Sequence, residues 1–202
     1  MLITNRVELI QDLIDKHSFQ SYLEIGARDG FTFNAVKCPS KYGVDPVLRK
    51  TFERPGFGHY AMTSDDFFKM GRGPFDLIFI DGLHLYEQTL KDVVNAWNSL
   101  TLEGFIVMHD CLPANAQECV REYHEGWPWT GDVWKSFLWF RSVYPDVDSY
   151  VVDIDHGCGV IRKSVENVTL KDTDWLKDLT FEWLQSHIIE MGIRSDEFVR
   201  TE

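Results

Sequence analysis

Acidic and histidine residues follow two strongly apolar stretches of the sequence, at the point where each stretch ends. Asp81 and His84 come after the first stretch, and His109 and Asp110 come directly after the second. Carboxylate and imidazole groups can remove a proton from an acceptor oxygen, or they can hold a divalent cation that lowers the pKa of that oxygen. We call these four residues the acid–histidine cluster. They are the candidate catalytic residues, and Asp81 and Asp110 are the candidate metal ligands.

The members of this cluster also have ordinary structural explanations, which the sequence leaves open. Asp81 with Gly82 can form a simple turn, Asp110 can cap a loop, and a histidine such as His109 is often held by structural hydrogen bonds. If the cluster is catalytic, proton removal without a metal is the expected chemistry, and metal assistance is the alternative.

A glycine turn precedes the cluster in the chain. Residues Tyr22–Gly30 have the sequence Tyr-Leu-Glu-Ile-Gly-Ala-Arg-Asp-Gly, which predicts a short buried strand that ends at Gly26. Glycine allows a backbone conformation closed to other residues, so that bare N–H groups can approach a ligand. A strand followed by Gly-x-x-x-Gly is also a common connection without any ligand, so the motif alone does not establish a binding site.

The elements that must position these residues alternate between strands and helices. The predicted strands are Tyr22–Ile25, Lys41–Pro46, Gly58–Met62, Phe75–Ile80, Gly104–Met108, Ser149–Asp153 and Cys158–Arg162. The predicted helices cover residues 3–16, 31–37, 86–100 and 133–143, with one that begins near Thr63 and a last one that passes through Phe181 and stops at Gly192. The pair Asn5 and Glu8 has the spacing of a capping box.

This alternation predicts one α/β domain over residues 1–202, a doubly wound and mostly parallel sheet with helices on both faces and an antiparallel last strand. Phe75–Ile80 should be the central strand, because a continuous apolar run is typical of a strand covered on both faces. Ligands of such sheets bind outside the carboxyl ends of the strands, where the strand order reverses.

Polar residues stand at the carboxyl ends of the other predicted strands as well. Glu24 precedes the glycine turn, Asp45 ends the second strand, and Ser64 and Asp65 follow the third. A carboxylate at Asp45, on the strand next to Glu24, could hold a ribose diol through two charge-assisted hydrogen bonds. Together with the acid–histidine cluster, these residues are expected to surround one pocket.

The composition limits the classes of partner. The 20 Lys and Arg residues against 32 Asp and Glu give a net charge of −12, which repels nucleic acid and anionic lipid. The four cysteines form no C-x-x-C pair and the chain opens without a basic, apolar signal segment, which favours a reducing, cytoplasmic setting. No apolar run is long enough for a spanning helix, and a homodimer is compatible with the sequence.

Residues 112–129 form the longest stretch without periodicity, and they include Trp127 and Trp129. Long irregular connections in compact domains are usually functional loops or lids. We therefore predict a mobile lid here. Tryptophans are more often core residues than ligand platforms, but aromatic faces in a lid would suit a sugar or a flat ring as acceptor.

The motifs together resemble class I S-adenosylmethionine-dependent methyltransferases. Within that class, the chain is similar to the small branch called methyltransferase family 24, which has Asp-Gly-x-His-x-Tyr-Glu at one strand end and His-Asp at a later one. The matching stretches are residues 23–30, 43–46, 75–87 and 104–110. The segment Asp81–Glu87 is the most specific of them.

The resemblance implies S-adenosylmethionine as cofactor and O-methylation of a small molecule, such as a sugar or an aromatic compound. It implies that Glu24, Gly26 and Gly30 line the methionine part, that Asp45 holds the ribose, that Ser64 and Asp65 lie by the adenine, and that Asp81 lies near the sulfonium. Ala27 and Arg28 of the same turn complete the expected cofactor-binding residues. Arg28 replaces the usual middle glycine. It could meet the carboxylate of the cofactor or form a salt bridge to a surface acid. Metal-dependent catechol-type methyltransferases use acids at similar strand ends, but they continue with an amide where this chain has Cys111.

Two other functions remain alternatives. A nicotinamide-dependent oxidoreductase would also place carboxylates at strand ends, but residues 26–30 lack the Gly-x-Gly-x-x-Gly spacing that brings a pyrophosphate onto a helix end. A non-catalytic binding protein with the same fold is the second alternative, because fold does not dictate function.

Overall fold

The apolar stretches form one eight-stranded sheet in the computed structural model, which describes residues 2–48, 57–164 and 168–195. The strands are β1 (Ser21–Ile25), β2 (Ser40–Val44), β3 (Phe57–Tyr60), β4 (Phe75–Ile80), β5 (Leu100–Met108), β6 (Ser149–Val152), β7 (Cys158–Arg162) and β8 (Ile193–Arg194). Their order across the sheet is β3-β2-β1-β4-β5-β7-β6-β8. The seven predicted strands are confirmed, and β8 is an additional strand that the sequence did not predict.

The strand directions confirm a doubly wound, mostly parallel sheet. Strands β1 to β5 are all parallel to one another, whereas β7 is antiparallel to both β5 and β6. The chain steps outward from β1 to β2 and β3, and then returns to place β4 on the other side of β1. The strand order therefore reverses between β1 and β4, which is where this architecture binds ligands.

Helices cover both faces of the sheet, as predicted. They are α1 (Arg6–His17), α2 (Phe31–Ala35), α3 (Ser64–Lys69), α4 (Tyr86–Asn98), α5 (Trp134–Val143) and α6 (Phe181–Ser186). Alternate residues of β4 enter two separate apolar clusters, because successive strand side chains point to opposite faces. Ile78 packs in the cluster that contains Trp97 of α4, and Leu77 packs in the cluster that contains Ile10 of α1. Strand β4 is thus a buried central strand.

Two details of the helices differ from the predictions. Asn5 caps α1 by accepting from the N–H groups of Val7 and Glu8, but the Glu8 carboxylate accepts from the Thr4 N–H instead of closing a capping box with Asn5. The predicted last helix is interrupted at His187 and continues as a 3-10 helix over Ile188–Met191. The His187 ring stacks on Trp183 and bonds its carbonyl oxygen, which ends the α-helical ladder there. Gly192 closes the segment with a left-handed conformation, as its position predicted.

The segment 112–129 contains no helix or strand, as its lack of periodicity predicted. It connects the end of β5 to α5 and runs past the carboxyl edge of the sheet. None of the helices in the described part of the chain is both long enough and apolar enough to cross a membrane.

Candidate active site

Two adjoining cavities lie at the carboxyl edge of the sheet, around the point where the strand order reverses. The first has a volume of about 450 Å³, and its wall includes Glu24, Asp81, His84 and Trp129. The second has a volume of about 390 Å³ and extends toward α3 and α4. Gly26, Asp45 and Gly82 line both cavities. Together they form one elongated site of the kind that an extended nucleotide-like ligand can fill.

The glycine turn after β1 forms the floor between the two cavities. Gly26 has φ +93°, and a Cβ at this position would lie 1.9 Å from the backbone oxygen of Asp81. Only glycine therefore allows the end of β1 to lie directly against the end of β4. Ala27 and Gly30 continue the floor, and the Gly30 N–H donates to the Ala27 carbonyl oxygen to close the turn.

The structure brings all four residues of the acid–histidine cluster together at the mouth of the first cavity. Nε2 of His84 lies 3.4 Å from Oδ1 of Asp81 and 3.3 Å from Oδ2 of Asp110. Nδ1 of His109 lies 3.5 Å and 3.2 Å from the same two oxygens. The arrangement follows from the sheet, because β4 and β5 are parallel neighbours and end side by side. The two carboxylates thus lie between the two imidazole rings.

The acids around His109 favour the protonated form of its ring. Burial alone would lower its pKa, but hydrogen bonds to Asp110, Asp155 and Asp81 raise the pKa of His109 far above its ordinary value. The pKa of Asp81 is lowered in turn, because contacts with His109 and His84 outweigh the effect of burial. Protonation of His109 is thereby favoured beside these carboxylates.

His84 has a defined tautomer. Its Nδ1 lies 2.8 Å from the main-chain carbonyl oxygen of Trp129, and its ring stacks on the Trp129 ring with 4.7 Å between centroids. A carbonyl oxygen can only accept, so Nδ1 carries the proton and Nε2 faces the two carboxylates. Burial lowers the pKa of His84, but the contacts with Asp81 and Asp110 raise it overall.

Arg6 and Asp155 also belong to this site, and the sequence analysis missed both. Oδ2 of Asp155 lies 3.5 Å from Nε2 of His109 and accepts from Nη1 of Arg6 at 2.6 Å. The Arg6 Nε also donates to the Thr32 hydroxyl. Asp155 lies in the turn between β6 and β7 with φ +47°, a left-handed conformation that is uncommon for aspartate and favoured in turns. The turn at Asp155–Gly157 was predicted, but its approach to His109 depends on the sheet order.

The predicted cofactor residues all line one or both of the cavities. Glu24 is buried and accepts a hydrogen bond from the Tyr22 hydroxyl at 2.6 Å, and its burial raises its pKa to about 8. The Asp45 carboxylate accepts from the backbone N–H of Arg28 at 3.1 Å and from that of Val47 at 2.7 Å. The Arg28 side chain is exposed and pairs with no acid in the described residues, so the predicted alternative of a surface salt bridge is not seen there.

Ser64 and Asp65 lie at the far end of the second cavity, at the start of α3. They share a hydrogen-bonded group with Gln88 and Asp92 of α4. The sequence analysis did not single out Gln88 or Asp92, because both fit the helical pattern of α4. A buried acid such as Asp92 on a packing helix is the signal that could have identified them.

The donor set at the mouth of the first cavity would suit a divalent cation. One ligand atom each from Asp81, His84 and Asp110 lies within 4.8 Å of the others. Carboxylate oxygens and a neutral imidazole nitrogen are suitable ligands, and the hydrogen bond from His84 Nδ1 to a carbonyl oxygen is the usual support of a metal-bound histidine. His84 was not among the predicted metal ligands, and the structure adds it to Asp81 and Asp110 as a candidate.

The segment 112–129 supplies aromatic walls. Tyr123, Trp127 and Trp129 line the first cavity, and Trp127 is 52% exposed. Arg121 anchors the segment, since it donates hydrogen bonds to Asp132 and to both carboxylate oxygens of Glu87 in α4. The aromatic residues therefore lie over the acid–histidine cluster without being part of the core.

Comparisons with known proteins agree with this geometry. Residues 23–111 match the family model described as "Methyltransferase domain". No curated protein is similar enough in sequence to be matched. An O-methyltransferase from Bacillus cereus in complex with SAH has a TM-score of 0.58 and 14% identity, with 78% of this chain and 80% of that chain covered.

Two further solved structures have the same fold. An SAH-bound methyltransferase from Podospora anserina has a TM-score of 0.59 and 16% identity, with 81% of this chain and 80% of that chain covered. The O-methyltransferase TomG from Streptomyces achromogenes is involved in tomaymycin synthesis and was solved with SAM. It has a TM-score of 0.55 and 12% identity, with 81% of this chain and 82% of that chain covered. The predicted resemblance is thereby confirmed: residues 23–111 match a methyltransferase domain, and the chain has the same fold as these solved methyltransferases.

Proposed function

We propose that this protein transfers the methyl group of S-adenosylmethionine to an oxygen atom of a small molecule. The observation that carries the proposal is the pair of carboxylates, Asp81 and Asp110, which face Nε2 of His84 at the mouth of the cavity floored by the Gly26 turn. Proton-accepting groups would then lie beside the sulfonium of a methyl donor bound in the elongated site.

The cofactor would occupy both cavities. Glu24 and the Gly26–Gly30 turn would hold the methionine part, Asp45 the ribose, and Ser64 with Asp65 would lie near the adenine. The structures from Podospora anserina and Bacillus cereus with SAH, and TomG with SAM, support this choice of cofactor.

The acid–histidine cluster would accept the proton of the acceptor hydroxyl. Methyl transfer is a displacement in which the acceptor oxygen attacks the methyl carbon, the carbon–sulfur bond breaks and the sulfonium becomes a neutral thioether. With Nδ1 protonated, the free Nε2 of His84 can take the proton from the oxygen, and Asp81 and Asp110 stabilise the resulting imidazolium. A cation held by Asp81, His84 and Asp110 would instead lower the pKa of the acceptor hydroxyl.

The acceptor would enter under the segment 112–129. The aromatic residues that line the first cavity are Tyr123, Trp127 and Trp129 of this segment and Phe31 of α2. Aromatic faces of this kind bind the apolar face of a sugar or stack on a flat ring. We therefore propose a sugar or an aromatic compound as acceptor.

The test is methyl transfer from S-adenosylmethionine to a panel of small sugars and phenols, followed as formation of SAH and methylated product. Asp81→Ala and Asp110→Ala should each lower turnover by about a hundredfold or more, as loss of a general base or metal ligand does, and Asp110→Ala should still bind the cofactor. Asp178→Ala, at an exposed acid outside the site, is the control. Loss of activity with a chelator and recovery with added Mg²⁺ would identify the metal route.

The proposal is wrong if the protein binds neither S-adenosylmethionine nor SAH. The catalytic assignment alone is wrong if both alanine variants turn over like the wild type.

A further inference from the structure

The second cavity contains a hydrogen-bonded polar group that the proposed chemistry does not use. Gln88 of α4 is the central member of this group, since its Nε2 contacts Ser64, Asp65 and Asp92. Asp92 is only 1% exposed, and burial raises its pKa to about 6. Burying a carboxylate on a packing helix is unfavourable unless it has a defined partner, so this group needs an explanation.

The two carboxylates fix the orientation of the Gln88 amide. Nε2 of Gln88 lies 3.1 Å from Oδ1 of Asp65 and 3.1 Å from Oδ1 of Asp92. A side-chain amide nitrogen has two hydrogens, and ionised carboxylates can only accept. Nε2 also lies 3.3 Å from Oγ of Ser64. Both hydrogens of Gln88 are therefore directed at these three acceptors, and its carbonyl oxygen points away from them.

The carbonyl oxygen of Gln88 is available for a ligand. Within the described parts of the chain, no group donates a hydrogen bond to Oε1, and this atom is not among the buried unsatisfied ones. Gln88 lines the second cavity together with Ser64 and Gly82. The cavity thus presents an oriented acceptor atom beside Ser64, where we place the adenine.

We propose that Gln88 distinguishes adenine from other bases by accepting a hydrogen bond from its exocyclic amine, and that Asp92 and Asp65 position the amide for this contact. The inference rests on the proposed function, since it takes S-adenosylmethionine as the ligand. A base with an oxygen in place of the amine would meet the Gln88 oxygen with its own acceptor, and a buried contact between two acceptors is strongly disfavoured. Gln88 is the specificity-determining residue, and Asp92 is a positioning residue.

The test compares two ligands by calorimetry: SAH, and S-inosylhomocysteine, which carries an oxygen where adenine has the amine. The wild type should bind SAH at least about tenfold more tightly, because the inosine compound buries the Gln88 oxygen without supplying a donor. Gln88→Met keeps the length of the side chain and removes the acceptor, so the two affinities should come to within about threefold of each other.

Asp92→Asn tests the positioning role separately. An asparagine at this position can donate to Oε1 of Gln88, which lets the amide turn around and direct its N–H groups at the ligand. The preference for SAH should therefore fall by at least about threefold, and a purely structural role of Asp92 would lower both affinities equally. Gln20→Met, at an exposed glutamine just before β1, is the control and should keep the wild-type ratio.

The outcomes separate the two proposals. If the wild type binds neither ligand, the proposed function fails and this inference fails with it. If the wild type binds SAH but shows no preference over the inosine compound, or if folded Gln88→Met keeps the wild-type ratio, Gln88 does not recognise the amine although the proposed function stands. If Gln88→Met does not fold, an unchanged ratio in Asp92→Asn overturns the inference.

Discussion

Trp129 orients the His84 ring: Nδ1 of His84 donates to the Trp129 carbonyl oxygen at 2.8 Å, and the two rings are stacked. The contact joins the acid–histidine cluster to the end of the segment 112–129. Asp132 continues the connection, since its N–H donates to the His84 carbonyl oxygen and its Oδ1 accepts from the N–H of Tyr86 at the start of α4. The position of this segment therefore determines which way the His84 ring faces.

Gly131→Ala tests whether the contact between His84 and Trp129 affects turnover separately from the stability of the protein. Gly131 has φ +57°, and a Cβ there would lie 1.9 Å from the His84 carbonyl oxygen, so the substitution must displace His84 or the segment. We expect turnover to fall by about tenfold or more while the affinity for SAH stays within a few fold, because a small misplacement of a reacting group has a large effect on rate.

Gly126→Ala is a matched control for that variant. Gly126 also has a positive φ, +83°, but a Cβ there would have no heavy atom within 4 Å. Gly126→Ala should therefore carry the same kind of backbone strain as Gly131→Ala but keep the turnover of the wild type. Equal turnover in the two variants would contradict the role given to the contact between His84 and Trp129.

Asp45→Ala should weaken the binding of S-adenosylmethionine by roughly 1.5–3 kcal/mol, the range for hydrogen bonds to a charged group. The Asp45 carboxylate also accepts from the N–H groups of Arg28 and Val47, so the variant needs a thermal melt to show that it is folded. Calorimetry with an unchanged affinity in a folded variant would remove Asp45 from the ribose site.

Glu24→Gln should change how stability depends on pH. The pKa of Glu24 is raised from 4.5 to about 8 in the folded protein, first because of burial, so the folded state binds a proton that the unfolded state releases. Between these two pH values the free energy of unfolding should fall as the pH rises, by an amount on the order of a few kcal/mol, and it should level off above pH 8.

The glutamine variant cannot release this proton, so its free energy of unfolding should fall less between pH 5 and pH 8 than that of the wild type. Urea unfolding at a series of pH values measures the difference. Glu122→Gln, at an exposed glutamate, should behave like the wild type. If the two curves for Glu24→Gln and the wild type run parallel, Glu24 is not protonated in the folded state.

Hydrogen exchange should be faster in residues 112–129 than in β4. Most backbone N–H groups of this segment are outside helices and strands, whereas β4 is buried on both faces between β1 and β5. Lids are drawn from the less stable parts of a fold. Exchange as slow in residues 112–129 as in β4, with or without SAH, would rule out a mobile lid.

The sequence was sufficient to predict the strands and strand-end residues that depend on a local pattern of residues. A six-residue apolar run bounded by turn residues, such as Phe75–Ile80, is typical of a buried strand, and a polar residue directly after it is expected at the edge of the sheet. Asp81 and Asp110 could therefore be placed together before the structure was known. The same reasoning placed Glu24 and Asp45 at the edge of the cavities.

Arg6 and Asp155 could not be placed in that way. Arg6 opens α1 and Asp155 lies in a hairpin turn, and neither has a neighbour in sequence that marks a site. They meet because α1 packs on the face of the sheet near β7, which is a property of the whole fold. Strand β8 was missed for a related reason, since two residues are too few to form a pattern without the pairing partner β6.

The reversed direction of β7 gives the active-site edge a part that can vary independently. After β1, β2 and β4, the chain leaves the carboxyl edge of the sheet through a connection that leads to the start of the next parallel strand. A change in the length of such a connection shifts the helix or strand that follows it. The turn before β7 joins two adjacent strands directly and returns to the same edge. A related chain could therefore lengthen or replace residues 153–157, and so give His109 a different partner, while the order of the parallel strands stays unchanged.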